Sequence, residues 1–130
     1  MRACFYWHGK TIELSAVCVM SNHVHMMVEL LTDEQGESLP LGQLLHSIKS
    51  YSAHRINKLL GRRGSVWLDE RFDHIPRSDD RYAHQVEYIW LNAWYAKLVR
   101  HPDDYRWVWK AGREIPSWIL KKVEDEPLEC

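Results

Sequence analysis

The chain has 130 residues, the size of one domain, and 45% of them are hydrophobic, which is enough for a buried core. Its 17 Lys and Arg and 18 Asp and Glu residues give a formal net charge of −1, so overall charge does not favour nucleic acid as a partner. Three distant cysteines without a Cys-x-x-Cys pair argue against a disulfide framework or a Cys-rich zinc site. The sequence contains no signal peptide or membrane-length apolar run, so we expect a cytoplasmic protein that does not bind membranes.

The first thirty residues predict an aromatic-rich start followed by β-structure. Residues 1–9 are aromatic-rich and are typical of the end of an element followed by a turn. Residues 11–20 predict a strand that leads into the apolar stretch Met20–Val28, and the strand is expected to end near Leu31.

Two histidines, His23 and His25, interrupt this apolar stretch with one residue between them. Alternate side chains of a strand lie on the same face, so both imidazoles are predicted to project together, opposite Val24 and Met26. Imidazole is the commonest protein metal ligand, and two on one strand can hold one ion. The alternative is a pair of ordinary histidines on a solvated face, and the spacing does not decide between them.

Leu41–Leu60 predicts an amphipathic helix of about five turns, with Gly61 as its stop. From Leu41 to Val66 the chain carries five cationic residues and no acidic one. This local charge is typical of a phosphate-contacting surface or, alternatively, of a solvated polar face. The candidate DNA-binding residues are Lys49, Arg55, Lys58, Arg62 and Arg63.

Residues 66–75 are short enough for an edge strand, and a second long helix is predicted from Asp79 to Arg100, capped by Ser78 or Asp79. Tyr82, Val86, Ile89, Ala93 and Ala96 form its predicted buried stripe. On another stripe, Tyr88 and Asn92 are one turn apart and share a face.

The aromatic residues of Pro102–Trp118 alternate with Arg106, Lys110 and Arg113. This pattern suits base stacking, but we favour a segment that packs across the domain. Residues 119–130 are predicted to be an acidic tail, which leaves residues 1–118 as a single domain.

Three separated segments together resemble the single-tyrosine HUH transposases, and in particular the REP-associated tyrosine transposases. Residues 19–28 resemble the family's His–apolar–His motif, with Ser21 where proline is usual. Gly64–Trp67 resembles its Gly-x-x-Trp step. Residues 88–93 are similar to its Tyr-Ile-x-x-Asn segment, with Ala93 where proline is usual, and the absence of proline is expected to let this helix run straighter.

The resemblance implies a chemistry for these residues. Tyr88 would be the nucleophile that forms a 5′-phosphotyrosine, and His23, His25 and Asn92 would hold a divalent metal, Mg²⁺ or Mn²⁺. The substrate would be single-stranded, hairpin-forming DNA that is nicked and rejoined during DNA transposition. Many family members are homodimers, so we expect a homodimer here.

The resemblance also implies an α+β, ferredoxin-like fold, in which helices cover one face of a small antiparallel sheet. In the family the first strand and helix precede the His-x-His strand by several tens of residues, whereas this chain has 22 residues before His23. We therefore expect the first strand and helix to be incomplete.

Two other functions stay open. A catalytically inactive remnant that only binds DNA would need the basic helix but neither the histidines nor Tyr88. A metal-binding hydrolytic protein would need His23 and His25 without Tyr88. Formation of a covalent protein–DNA adduct would separate the transposase from both.

Overall fold

The computed structural model describes residues 1–69 and 71–123, which form an α+β fold around a three-stranded antiparallel sheet. Strand β1 is central, with β2 and β3 at its two edges. The predicted α+β class and antiparallel sheet are confirmed, while the incompleteness of a first strand and helix stays a prediction. In chain order the elements are α1 (Arg2–Tyr6), β1 (Ile12–Val19), β2 (Val24–Leu30), α2 (Leu41–Leu60), α3 (Asp79–Trp90), α4 (Asn92–Tyr95), a 3-10 turn (Pro102–Asp104), β3 (Val108–Lys110) and α5 (Ser117–Val123).

Helices cover both faces of the sheet, not only the one expected face. Ile12 and Val17 of β1 pack in one core cluster with residues of α1, α2 and α5. Ala16 and Cys18 pack in a second cluster with Ile89 and other residues of α3. Because β1 is apolar on both faces, each face needs cover. No helix in the described part of the chain is long and apolar enough to cross a membrane.

A β-bulge in β1 connects the sheet to α3. Leu14 pairs with Val28 and Ala16 with Met27, so Ser15 is the extra residue. The Ser15 hydroxyl is hydrogen-bonded to the hydroxyl of Tyr82 on α3. The bulge therefore provides an attachment point for this helix.

Helix α2 has the predicted bounds, and it ends because Gly61 adopts a left-handed conformation with φ of 60°. The predicted edge strand at 66–75 is wrong for the described residues of that range, which form no strand. Their charged side chains, including the ion-paired Arg71 and Asp73, stay exposed and would be costly to bury in a sheet.

The predicted second helix is confirmed only as far as Trp90. It begins as predicted, with Ser78 Oγ accepting a hydrogen bond from Arg81 N at 3.3 Å. Leu91, with φ of −86° and ψ of 0°, stays in the right-handed helical region but lies between α3 and α4, so the regular helix is interrupted there even without a proline. The expected continuation to Arg100 is wrong, and Ala96 is exposed and not buried.

The single turn α4 ends in a tight hydrogen-bonded motif around Lys97, which has a positive φ of 59°. Lys97 N donates to Trp94 O and Leu98 N to Ala93 O, each at 3.0 Å. This is the Schellman arrangement, in which glycine is the usual left-handed residue.

The C-terminal aromatic segment packs across the domain, as we favoured. Trp109 lies in the first core cluster, and Tyr105 donates a 2.6 Å hydrogen bond to Val19 O. Helix α5 passes the expected domain end at residue 118 and buries Ile119. The division into a domain and a tail stays a prediction, and residues 124–130 lie outside the described residues.

Replacing Trp109 with alanine is expected to lower the free energy of unfolding by about 3–5 kcal/mol, a large part of a typical domain's stability. Its indole is 5% exposed and packs edge-on to Phe5 at 5.0 Å. Trp107, 43% exposed, is the matched control, and its replacement should cost clearly less. Urea unfolding of the three proteins measures this difference. Equal losses for both variants would contradict the core position of Trp109.

Candidate active site

A turn divides the predicted strand into β1 and β2, and the resulting hairpin brings His23 and His25 together at its end. Met20 N donates a 2.9 Å hydrogen bond to His23 O, which closes the turn, and Cys18 pairs with His25 just inside it. The centroids of the two imidazole rings are 4.8 Å apart. His23 immediately precedes β2, so the predicted common projection of the two side chains agrees with their contact.

A hydrogen bond to His23 and the burial of His25 bear on metal binding by the pair. Asn22 Oδ1 accepts from His23 Nδ1 at 2.7 Å, so Nε2 is the nitrogen of that ring that this hydrogen bond does not use. Burial, and then the neighbouring His23, lower the pKa of His25. Neutral imidazole binds metal through its lone pair, so the pair could act as two nitrogen ligands.

Tyr88 lies beside this pair. Helix α3 packs on the sheet face to which His25 and Met27 point, and the Tyr88 ring centroid lies 6.3 Å from that of His25. The side chain is 45% exposed, so a large substrate can reach it from solvent. The structure therefore places the predicted nucleophile next to the predicted histidine ligands.

Asn92 is half-buried at the start of α4, beyond the interruption at Leu91. It therefore does not lie on one continuous helix with Tyr88, as the sequence predicted. No hydrogen bond within the described residues joins its side chain to either histidine. Its role as a metal ligand stays a prediction.

The donor set fits a divalent cation only in part. Within residues 1–69 and 71–123, no three His, Cys, Asp or Glu side chains are grouped to hold a metal ion. Cys18 pairs with His25 in the sheet, but burial raises the pKa of its thiol to about 11, so the metal-binding thiolate is disfavoured. A cation on His23 and His25 would need a further ligand of another type, such as the amide of Asn92 or substrate oxygens.

The predicted DNA-binding residues lie elsewhere. Helix α2 packs through Leu44 and Ile48 in the core cluster on the sheet face opposite to α3, so the structure does not bring the basic residues together with Tyr88. Lys49 Nζ donates to Leu68 O at 3.1 Å and Arg62 to Ser65 O at 3.2 Å, so both also hold the following loop. Arg55, Lys58 and Arg63 lie on the same helix and turn.

Aromatic residues of α4 join this site, although they were not among the predicted site residues. The rings of Tyr88 and Tyr95 stack at 5.9 Å with an interplanar angle of 30°, and Trp94 lies 5.2 Å from Tyr95. The sequence carries a signal for the first of these contacts, because Tyr95 follows Tyr88 by seven residues, about two helical turns. The position of Trp94 beside Tyr95 follows the interruption at Leu91, which the sequence did not predict.

Comparisons with known proteins identify the family. Residues 5–90, which include His23, His25 and Tyr88, match the family described as "Transposase IS200 like". The chain is also similar to a putative REP-associated tyrosine transposase of Haemophilus influenzae, with 20% identity over 96 residues. That similarity covers 70% of this chain and 53% of the relative, so the chain spans about half the length of the curated relative. No solved structure matches. Because the family match covers most of the sequence, the chain belongs to the IS200-like transposase family.

Proposed function

We propose that this chain cleaves and rejoins single-stranded DNA in transposition, through a covalent bond between Tyr88 and a DNA 5′-phosphate. The observation that carries the proposal is the exposed Tyr88 ring 6.3 Å from His25, in a transposase-family chain. An unpaired strand can bend its backbone to this side chain, and we propose that an adjacent DNA hairpin supplies the shape that is recognised.

The proposed step exchanges one phosphoester for another. Tyr88 Oη forms a bond to phosphorus and its phenolic proton passes to solvent, while the bond from phosphorus to O3′ breaks and the departing O3′ takes up a proton. The bond energy is kept in the phosphotyrosine. A different 3′-OH can therefore attack the same phosphorus and regenerate the phenol without ATP.

The histidine pair would hold Mg²⁺ or Mn²⁺, with Asn92 as a further ligand, and the cation would supply Lewis-acid polarisation of the scissile phosphate. His25 contributes here through its lowered pKa, since a neutral ring needs no deprotonation before it binds a cation. The Asn22 side chain keeps the Nε2 atom of His23 available by accepting from Nδ1.

The basic residues of α2 and its following turn are proposed to contact DNA phosphates away from the reacting one. Lys58 and Arg63 have no hydrogen bond or ion pair within the described residues, which leaves them free for this role. The homodimer is also part of the proposal, since β2 is at the sheet edge and could pair with a strand of a second copy.

The test is adduct formation with single-stranded DNA that carries a hairpin. We expect a denaturant-resistant complex in the presence of Mn²⁺, with the modified peptide identified as that of Tyr88 by mass spectrometry. Binding without any adduct would favour a DNA-binding module. Metal-dependent cleavage that leaves no protein on the DNA would favour a hydrolytic protein.

A further inference from the structure

Five aromatic rings form a continuous row that starts at the histidine pair and continues past Tyr88. Successive ring centroids are 4.8, 6.3, 5.9 and 5.2 Å apart. In order, the rings are those of His23, His25, Tyr88, Tyr95 and Trp94. The row therefore continues from the reacting residue to two rings of α4 that the proposed cleavage chemistry does not use.

The last two rings are not core residues. Trp94 is 44% exposed and Tyr95 56%, whereas Trp90, on the preceding helix, is 8% exposed. Large aromatic side chains left half in solvent lose much of the stabilisation that burial would give them. Their exposure beside the site is therefore better explained by binding than by folding.

The groove at these rings is cationic. It encloses about 630 Å³, and neither Lys97 nor Arg100 in its lining forms an ion pair within the described residues. Among the residues that the structure describes, no acidic side chain lines it. The lining residues are Trp94, Tyr95, Lys97, Leu98, Val99 and Arg100.

We propose that Trp94 and Tyr95 form a stacking subsite for an unpaired DNA base next to the phosphate that Tyr88 attacks, with Lys97 and Arg100 near flanking phosphates. This rests on the proposed function for the role of Tyr88. An unpaired nucleotide combines a flat apolar face with adjacent negative charge, which matches half-exposed rings beside unpaired cations. Duplex DNA does not fit as well because its bases are already stacked. An apolar peptide would leave both cations unmatched.

The experiment measures fluorescence anisotropy of labelled oligothymidylate on the order of 15 nucleotides long, within typical single-strand site sizes. All proteins carry Tyr88→Phe, so that covalent capture does not contribute. Trp94→Ala is expected to raise Kd at least about fivefold, the lower end of measured base-stacking effects. Trp94→Phe should retain most of the affinity, and binding to the same strand in a duplex should not change.

Two further variants act as controls for packing and charge. Trp107→Ala removes an equally exposed indole, which packs on Trp118 and not on the row, and should leave Kd unchanged. Lys97→Gly keeps the left-handed backbone at 59° and removes one cation, so the slope of log Kd against log salt should fall by about one. If Trp94→Ala does not fold, Trp94→Leu keeps apolar volume without an aromatic face.

The outcomes separate this subsite from the proposed catalysis. Unchanged Kd in folded Trp94→Ala and Trp94→Leu would overturn the subsite, even if the protein with Tyr88 forms an adduct. A higher Kd in Trp94→Ala with no adduct from the protein with Tyr88 would support the subsite and contradict the catalytic proposal. If Trp94→Ala alters only the mass measured by light scattering, this face contacts a second copy and the subsite is overturned.

Discussion

Replacing Tyr88 with phenylalanine is expected to abolish the covalent protein–DNA adduct completely. The change removes the only atom of this side chain that can bond to phosphorus, because a phenyl ring has no nucleophilic oxygen. The stacking of the ring on Tyr95 should remain. Since the hydroxyl has no hydrogen-bond partner within the described residues, the free energy of unfolding should change by less than about 0.5 kcal/mol.

The measurement is a denaturing gel with labelled hairpin DNA, together with urea unfolding of the same variant. Tyr95→Phe is the matched control because it removes the hydroxyl of the stacked neighbour and keeps the ring, and it should still form the adduct. An adduct that persists in Tyr88→Phe would assign the nucleophile to another tyrosine. If Tyr88→Phe loses DNA binding as well as the adduct, the Tyr88 hydroxyl has a role in binding.

Replacing His23 and His25 together with alanine is expected to remove Mn²⁺ binding and to slow cation-dependent nicking by roughly a hundredfold or more, since Lewis-acid stabilisation is worth several kcal/mol. The fold should persist because His23 is exposed and His25 is only half-buried. Electron paramagnetic resonance of Mn²⁺ reports binding independently of activity.

His54→Ala is the matched control, because this exposed histidine lies on α2, which packs on the opposite side of the sheet from α3. It should leave both Mn²⁺ binding and nicking unchanged. Tight Mn²⁺ binding by the double variant would show that the cation lies elsewhere. Nicking at full rate in a chelator would remove the need for a cation at all.

Local features of the fold were predictable because each depends on neighbours in sequence. The bounds of α2 follow from its apolar spacing and from Gly61, whose left-handed backbone other residues adopt at a cost. Ser78 identified the start of α3 through its capping side chain. The contact of His23 with His25 follows from strand alternation.

Features that depend on tertiary packing were not predictable from these patterns. The interruption at Leu91 and the left-handed Lys97 lie in a segment without proline or glycine, so the apolar spacing alone favoured a longer helix. The cover on both faces of β1 depends on where α3 packs. The row of rings from His25 to Trp94 depends on the packing of α3 and on the interruption at Leu91, so the sequence pattern alone did not predict the whole row.

The hydrogen bond between Ser15 and Tyr82 joins β1 to α3 at one point. From this point we compare the length of β1 that leads to Cys18 with the length of α3 that leads to Tyr88. Along β1, the three residues from Ser15 to Cys18, the partner of His25, span roughly 10 Å at about 3.3 Å per residue. Along α3, the six residues from Tyr82 to Tyr88 span roughly 9 Å at about 1.5 Å per residue.

The near equality of these two lengths brings Tyr88 and His25 to the same position along β1, which agrees with the 6.3 Å between their ring centroids. A residue deleted between Tyr82 and Tyr88 would shorten only the helical length and rotate Tyr88 by about 100°. Even in a protein that stayed folded, Tyr88 would then no longer lie beside His25. We therefore expect a deletion between Tyr82 and Tyr88 to reduce activity more than a substitution at an exposed position in the same interval.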